Sequence, residues 1–240
     1  MIGTGAPGRS RGASTIRGPR LVMMGRQGSG KGTQCVRLAA RLGITHIDVG
    51  DALRDEVRRR TALGRVARRF LEEGRLLPDE MVTDVVLGQL EWVGSFGFVL
   101  DGFPRTLPQA EALGATVGMD GIDLVVNLAI TPAVALHRLL SRRVCTRCQS
   151  VITITPGRSS CPDCGGLLVR RTDDTAKAIK LRLATYEVQT HPVLGWYAVR
   201  GQLVTIDGRQ DLGAVTRRIL DAMAQMQSLD DGKLVTPRAG

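Results

Sequence analysis

The sequence predicts an α/β fold: a five-stranded parallel sheet with helices on both faces and two insertions above it. Three observations carry this. Short apolar runs alternate with helical stretches, at residues 21–24, 44–49, 98–100, 124–128 and 203–206. The first run passes through a glycine-rich turn directly into a helix. The third ends in a carboxylate, Asp101, and open parallel sheets place their chemistry outside the carboxyl ends of the strands.

Composition sets the bounds. A chain of 240 residues buries a full core, as one domain with insertions or as two small ones. Hydrophobic residues make up 43% and aromatics only 3%, so the core must be aliphatic. The formal net charge of +10 suits polyphosphate substrates. No basic segment is interleaved with aromatics, so a nucleic-acid partner is not expected. No apolar run approaches the roughly 18 residues of a spanning helix, so a membrane partner is not expected either. Residues 1–19 carry Arg9, Arg11 and Arg17 and no acidic residue, and they read as a disordered basic arm. Such an arm lacks the apolar centre of a secretory signal. It leaves open an organelle-targeting segment or a start assigned too far upstream.

Taken in order, the first strand leads into Gly25, Gly28, Ser29, Gly30, Lys31, Gly32 and Thr33, with the G-x-x-x-x-G-K spacing of a phosphate-binding loop. Glycines allow backbone turns in which successive N–H groups face one anion. The following helix adds the positive end of its dipole, and Lys31 a mobile charge. A glycine-rich turn that binds nothing is the bland alternative, but strand, loop and helix stand in the order a P-loop NTPase sheet requires. Gly32 departs from the general motif, where Ser or Thr follows the lysine. The helix over 33–42 places Cys35, Leu38, Ala39 and Leu42 on one face and stops at Gly43. Cys35 reads as a small buried hydrophobe rather than a reactive thiol.

The second strand runs into Asp51, an N-cap for the next helix, with Arg54 one turn inside, where its fork reaches a phosphate or simply faces solvent. Residues 55–77 read as two short helices with a turn at Gly74. Pro78, Asp79 and Glu80 then suit the first turn of another. After the third strand, Asp101 is placed to hold Mg²⁺ or its water ligands, and Arg105 emerges from the Gly102–Pro104 turn. The amide of Gln109 can donate and accept at once. A helix over 132–143 puts Arg138 and Arg142 at i, i+4 on one face, a polyanion site or a solvated basic surface.

Cys145, Cys148, Cys161 and Cys164 form a C-x2-C-x12-C-x2-C pattern suited to a structural, four-thiolate Zn²⁺. Disulfides or a redox dithiol are the alternative. The segment between the pairs turns at Pro156–Gly157 and is too small for a core of its own. Asp173 and Asp174 precede a long helix running to about Thr190, a strand follows at 203–206, and 212–226 is a closing helix with a frayed tail at 227–240. His46, His137 and His191 stand at no telling spacing and read as structural.

The Gly-Lys-Gly-Thr-Gln of 30–34, the Val-Gly-Asp-Ala-Leu-Arg of 49–54 and the Asp-Gly-Phe-Pro-Arg of 101–105 resemble the adenylate kinase branch of the nucleoside monophosphate kinases, over about residues 20–225. The resemblance implies ATP + AMP = 2 ADP without a covalent intermediate. It implies Lys31, Asp101, Arg105, Arg138, Arg142, Arg171 and Arg182 as catalytic residues. ATP would meet Gly25, Gly28, Ser29, Gly30, Lys31, Gly32, Thr33, Arg138, Arg142 and Gln210. AMP would meet Val49, Arg54, Leu77, Gly102, Arg105, Gln109, Arg171 and Arg182. A core of 20–49, 80–142 and 175–226 would carry an acceptor-binding insertion at 50–79 and a zinc lid at 143–174. Asp173 and Asp174 match the family's lid carboxylates, as tethers, Mg²⁺ partners or helix caps. Val49 replaces the family's Thr or Ser and leaves room for CMP or UMP as acceptor or GTP as donor. A nucleic-acid-binding derivative of the fold is the remaining rival. A cytoplasmic monomer acting on ATP, AMP and ADP is the expectation.

Overall fold

The computed structural model describes residues 17–118, 121–154 and 159–233. The chain opens with β1 (Arg20–Met24), α1 (Lys31–Leu42), β2 (Thr45–Asp48), α2 (Val49–Arg59), α3 (Ala62–Glu73) and α4 (Asp79–Val93). It continues through β3 (Phe98–Asp101), α5 (Leu107–Val117), β4 (Leu124–Ala129) and α6 (Pro132–Ser141). Three short strands follow, β5 (Arg142–Cys145), β6 (Val151–Thr153) and β7 (Leu168–Val169). The last stretch is α7 (Ala176–Thr185), a π-helical turn (Tyr186–Thr190), α8 (His191–Ala198), β8 (Leu203–Asp207) and α9 (Leu212–Lys233).

The main sheet has the order β2-β3-β1-β4-β8 and is parallel throughout. Alternation along each strand divides the core in two. Val22, Met24, Leu100 and Val125 face the core shared with α2 to α5 and α8. Leu21, Met23, Val99 and Val126 face the core shared with α1 and α9, where Cys35 and Leu38 are fully buried. Both faces are covered, which is why the central strands are apolar without interruption. The five runs expected as strands all form, within a residue or two at their ends.

The pleat also sets the site. In register, Asp48 lies opposite Asp101, and Asp101 opposite Met23, at the carboxyl ends of three adjacent strands. The phosphate loop leaves β1 at that end. The second sheet, order β6-β5-β7, is antiparallel and carries the cysteine pairs. No described helix is long and apolar enough to cross a membrane.

Several expectations are corrected. Residues 17–19 are ordered: Arg17 bonds Asp123 through both terminal nitrogens (2.9 and 2.6 Å), and Phe98 N–H donates to Pro19 O (2.9 Å). Residues 1–16 lie outside the described part. The cap of α2 is Asp48, whose carboxylate accepts from Asp51 N (2.8 Å), while Asp51 sits in the first turn. The helix starts early because Val49 turns into the core, where it is 2% exposed. Helix α6 stops at Ser141, and Arg142 is extended (φ −65°, ψ 136°) at the start of β5. Arg138 and Arg142 therefore do not share a helix face. The helix after the lid is capped by Thr175, which frees Asp173 and Asp174 for other partners. It also runs on through the π-helical turn into α8. Helix α9 reaches Lys233, past the expected start of the tail, and the remainder from 234 lies outside the described residues, as does the Pro156–Gly157 turn.

Candidate active site

A cleft of about 1250 Å³ opens above the carboxyl ends of the sheet. Its floor is the phosphate loop and Asp101. One wall comes from α2 and the Arg75–Leu77 stretch, and the other from the lid strands and α7. The loop needs its glycines. Gly30 is the residue before α1 and has φ 100°, a backbone that side-chain-bearing residues rarely adopt. A Cβ at Gly32 would lie 3.2 Å from Asp101 Oδ2, so the departure from Ser or Thr leaves room for the carboxylate. Lys31 Nζ folds back to Gly25 O (2.8 Å) and Arg26 O (3.0 Å). Burial lowers the Lys31 pKa and raises that of Asp101, and each charge partly offsets the other's desolvation. Ser29 is 2% exposed and its hydroxyl has no bonding partner. Thr33 is exposed.

The arginines converge from separate elements. Arg54 on α2 bonds Asp51 and lies 4.0 Å from both Asp48 and Asp173. Arg105 turns back onto Gly102 O (2.8 Å), and burial lowers its pKa. Arg182 on α7 binds Asp173 (2.7 Å), Asp174 (3.1 Å) and Leu71 O (3.0 Å). Arg142 forms a two-point fork on Asp174 (2.8 and 2.6 Å). Arg171 lies 3.7 Å from Asp51. Burial and the like charges of Arg54 and Arg142 pull Arg171 down to about 10. Arg138 donates to Gly28 O (3.3 Å) and Gly208 O (3.0 Å), and so joins the loop to the turn after β8, where Gln210 lines the cleft.

On the side of the cleft nearer the Gly102–Pro104 turn, Gln109 is 2% exposed, accepting from Arg105 N (2.7 Å) and donating to Asp79 (2.7 Å). One lone pair and one N–H of its amide remain. Gly102 has φ 83°, and a Cβ there would stand 2.9 Å from the Arg105 guanidinium. Leu77 and Val49 are buried and line the same cleft.

In the lid the four thiols are free, and all lie within 4.8 Å of one another. Cys145 and Cys164 sulfurs are 3.4 Å apart, and Cys148 and Cys161 3.7 Å. The edge of a zinc–thiolate tetrahedron is about 3.8 Å, so the donor set fits Zn²⁺ in size as well as in chemistry. Gly166 is required here, since a Cβ would stand 2.7 Å from Cys145 Sγ.

Two groups at the site gave no signal in the sequence. Arg26, inside the loop, binds Glu187 (2.6 and 3.0 Å) and Ile130 O (2.7 Å) and lies over the Tyr186 ring. Loop positions between the glycines are free in the motif, so nothing marks this one. His46 also reaches the cleft, although no spacing indicates it.

A phosphate loop at the end of a central parallel strand, facing crowded arginines and a strand-end carboxylate, defines a P-loop phosphotransferase. The family model for adenylate kinase matches residues 23–202. The chain is 42% identical over 212 residues to an adenylate kinase of Desulforudis audaxviator, covering 85% of this chain and 99% of that one. It is 39% identical over 211 residues to one of Caldicellulosiruptor saccharolyticus (85% and 98% covered) and 40% identical over 206 residues to one of Kosmotoga olearia (83% and 96%). The chain belongs to the adenylate kinase family.

Proposed function

We propose that the chain transfers the γ-phosphoryl group of Mg·ATP reversibly to AMP, giving two ADP. The observation that carries this reading is the gathering of Arg54, Arg105, Arg142, Arg171 and Arg182 around one cleft, where burial first, and then the charges of Arg54 and Arg142, depress the Arg171 pKa. Cations held against one another at that cost suit a polyanion. The names of the relatives support the nucleotides chosen.

In this proposal the loop N–H groups of Gly25 to Thr33, with Lys31, cradle the donor phosphates. Lys31 leaves its carbonyl partners and follows the outer phosphates. Asp101 faces the magnesium of the nucleotide, which neutralises charge on the β- and γ-phosphates. Arg54 and Arg105 grip the acceptor phosphate, with Val49, Leu77, Gly102 and Gln109 around the nucleoside. Arg138 and Arg142 meet the donor, with Gln210 near its base, and Arg171 and Arg182 close on the transferring group. No general base is needed, because the attacking phosphate oxygen is already anionic. Catalysis is positioning and charge neutralisation. The carboxylates that now hold these arginines, Asp51, Asp173 and Asp174, orient them until phosphates compete.

Residues 50–79 and 143–174 act as covers over a core of 20–49, 80–142 and 175–226, and their closure excludes water that would otherwise hydrolyse ATP. Cys145, Cys148, Cys161 and Cys164 hold a structural Zn²⁺. Four thiolates leave no open position, so the metal staples the lid and takes no part in the transfer. The protein works as a cytoplasmic monomer.

The test is ADP formation by full-length protein with Mg·ATP and each of AMP, CMP, UMP and GMP. Turnover confined to AMP is expected, because Val49 turns into the core and offers no new polar contact. Preference for another monophosphate would move the acceptor assignment. No turnover with any, from folded zinc-loaded protein, would overturn the reading.

A further inference from the structure

Beneath the phosphate loop lies a cluster of which the phosphoryl transfer uses only one member, Asp101. Cys35 comes from α1, His46 from β2 and Asp101 from the end of β3. A sulfur, a ring nitrogen and a carboxylate oxygen from these three lie within 4.8 Å of one another. The pleat explains the meeting. His46 pairs in register with Val99 and Asp48 with Asp101, so His46 and Asp101 project to the same face of the sheet. Val99 on that face packs in the same core as Cys35 of α1. Cys35 is fully buried and Asp101 is 8% exposed. Nε2 of His46 is buried and has no hydrogen-bond partner, an unusual cost for an imidazole.

We propose that Cys35, His46 and Asp101 form a second metal site, for a borderline-soft divalent ion of the zinc class, and that its occupation inhibits the enzyme. A thiolate with an imidazole selects such an ion over Mg²⁺. Bound to one ion, these donor atoms would lie about 3.4–3.6 Å apart, so a pair at the 4.8 Å limit closes by little more than about 1 Å. The thiol proton leaves to solvent as the metal–sulfur bond forms, and no electron transfer is involved. Asp48, opposite Asp101 in the β2–β3 register, adds negative charge that offsets the ion. Lys31, which acts on the Asp101 charge, is engaged by Gly25 O and Arg26 O. His46 and Asp101 line the cleft, so an ion arrives through the nucleotide site without unfolding. Once there it removes Asp101 from the magnesium of the substrate. Only this inhibitory consequence rests on the proposed role of Asp101.

The experiment is metal analysis of full-length, zinc-loaded protein after dialysis against buffered micromolar free Zn²⁺, for wild type, Cys35→Ser and His46→Gln. Wild type should carry one equivalent more than either variant. The free zinc that half-inhibits ADP formation in excess Mg²⁺ should rise more than about tenfold in the variants, with basal turnover unchanged. A second arm needs no variant. Co²⁺ added to the zinc-loaded wild type should give a near-ultraviolet thiolate-to-cobalt band. Absence of that band, or equal zinc content in all three proteins, would overturn the site. A second equivalent that leaves turnover unaffected would overturn the inhibition alone. Silence in the nucleotide panel would leave the stoichiometry and the cobalt band to decide the site independently.

Discussion

Asp174→Ala is the most demanding perturbation of the cleft. The Asp174 side chain is fully buried, accepts a two-point fork from Arg142, and takes a further bond from Arg182 at 3.1 Å. Truncation leaves Arg142 without a carboxylate and Arg182 with only Asp173. Breaking a buried pair by removing one partner costs about 3–5 kcal/mol, because the other charge stays desolvated. Arg182 keeps Asp173 and Leu71 O as partners and the cleft admits water, so the lower end applies, about 3 kcal/mol. At about 2–4 °C per kcal/mol for a chain of this size, Tm should fall by about 6–12 °C. Urea unfolding followed by circular dichroism gives the free energy directly, and an unchanged m confirms that only stability moved. Asp174→Asn keeps the shape and one acceptor, and should lose roughly half as much. Because Arg142 and Arg182 lose their orientation, kcat should fall in both variants more than KM rises. A loss below about 1 kcal/mol for the alanine variant would refute the claim that this carboxylate organises the arginines.

Three further outcomes are expected. Arg105→Ala should lower turnover by about a thousandfold or more and leave the melting curve close to wild type, as for other transition-state arginines; near-normal turnover would remove its assigned role. Chelating the zinc proposed for Cys145, Cys148, Cys161 and Cys164 should lower Tm while activity at room temperature is largely retained, and loss of activity in fully folded, zinc-free protein would make the metal catalytic. Burial alone would raise the Asp173 carboxyl, but Arg182, Arg54 and Arg171 hold it below the ordinary range. Its folded pKa is therefore lower than its unfolded value of about 3.9. The stabilisation is complete above that value and is lost as pH falls through the folded pKa. Tm measured against pH should drop on the acid side below about 4, and less steeply in Asp173→Asn.

What could be read from the sequence was local. The phosphate loop and the Asp101–Arg105 turn each lie within one strand-to-helix connection, where spacing alone fixes which groups face the sheet's end. The end of α6 was not local. Arg138 to Arg142 has helical spacing, but Arg142 and Arg143 pair with Thr153 and Ile152, and that pairing ends the helix. The choice between Asp48 and Asp51 as cap likewise depends on where β2 stops and on Val49 finding the core. The Cys35–His46–Asp101 cluster was beyond reach, because its parity shows only once β2 and β3 are in register. The site assignments themselves came from resemblance and await the experiments above.

The Arg142–Asp174 fork spans 32 positions of sequence and joins the residue just before the 143–174 segment to the last residue of that segment. The stretch that carries the cysteines lies between the two ends of that fork. The lid is therefore a cassette whose anchor belongs to the core. A shorter turn or a foreign hairpin in place of the stretch between Cys145 and Cys164 would inherit the anchor and leave Arg171 and Asp173 on the cleft side in place.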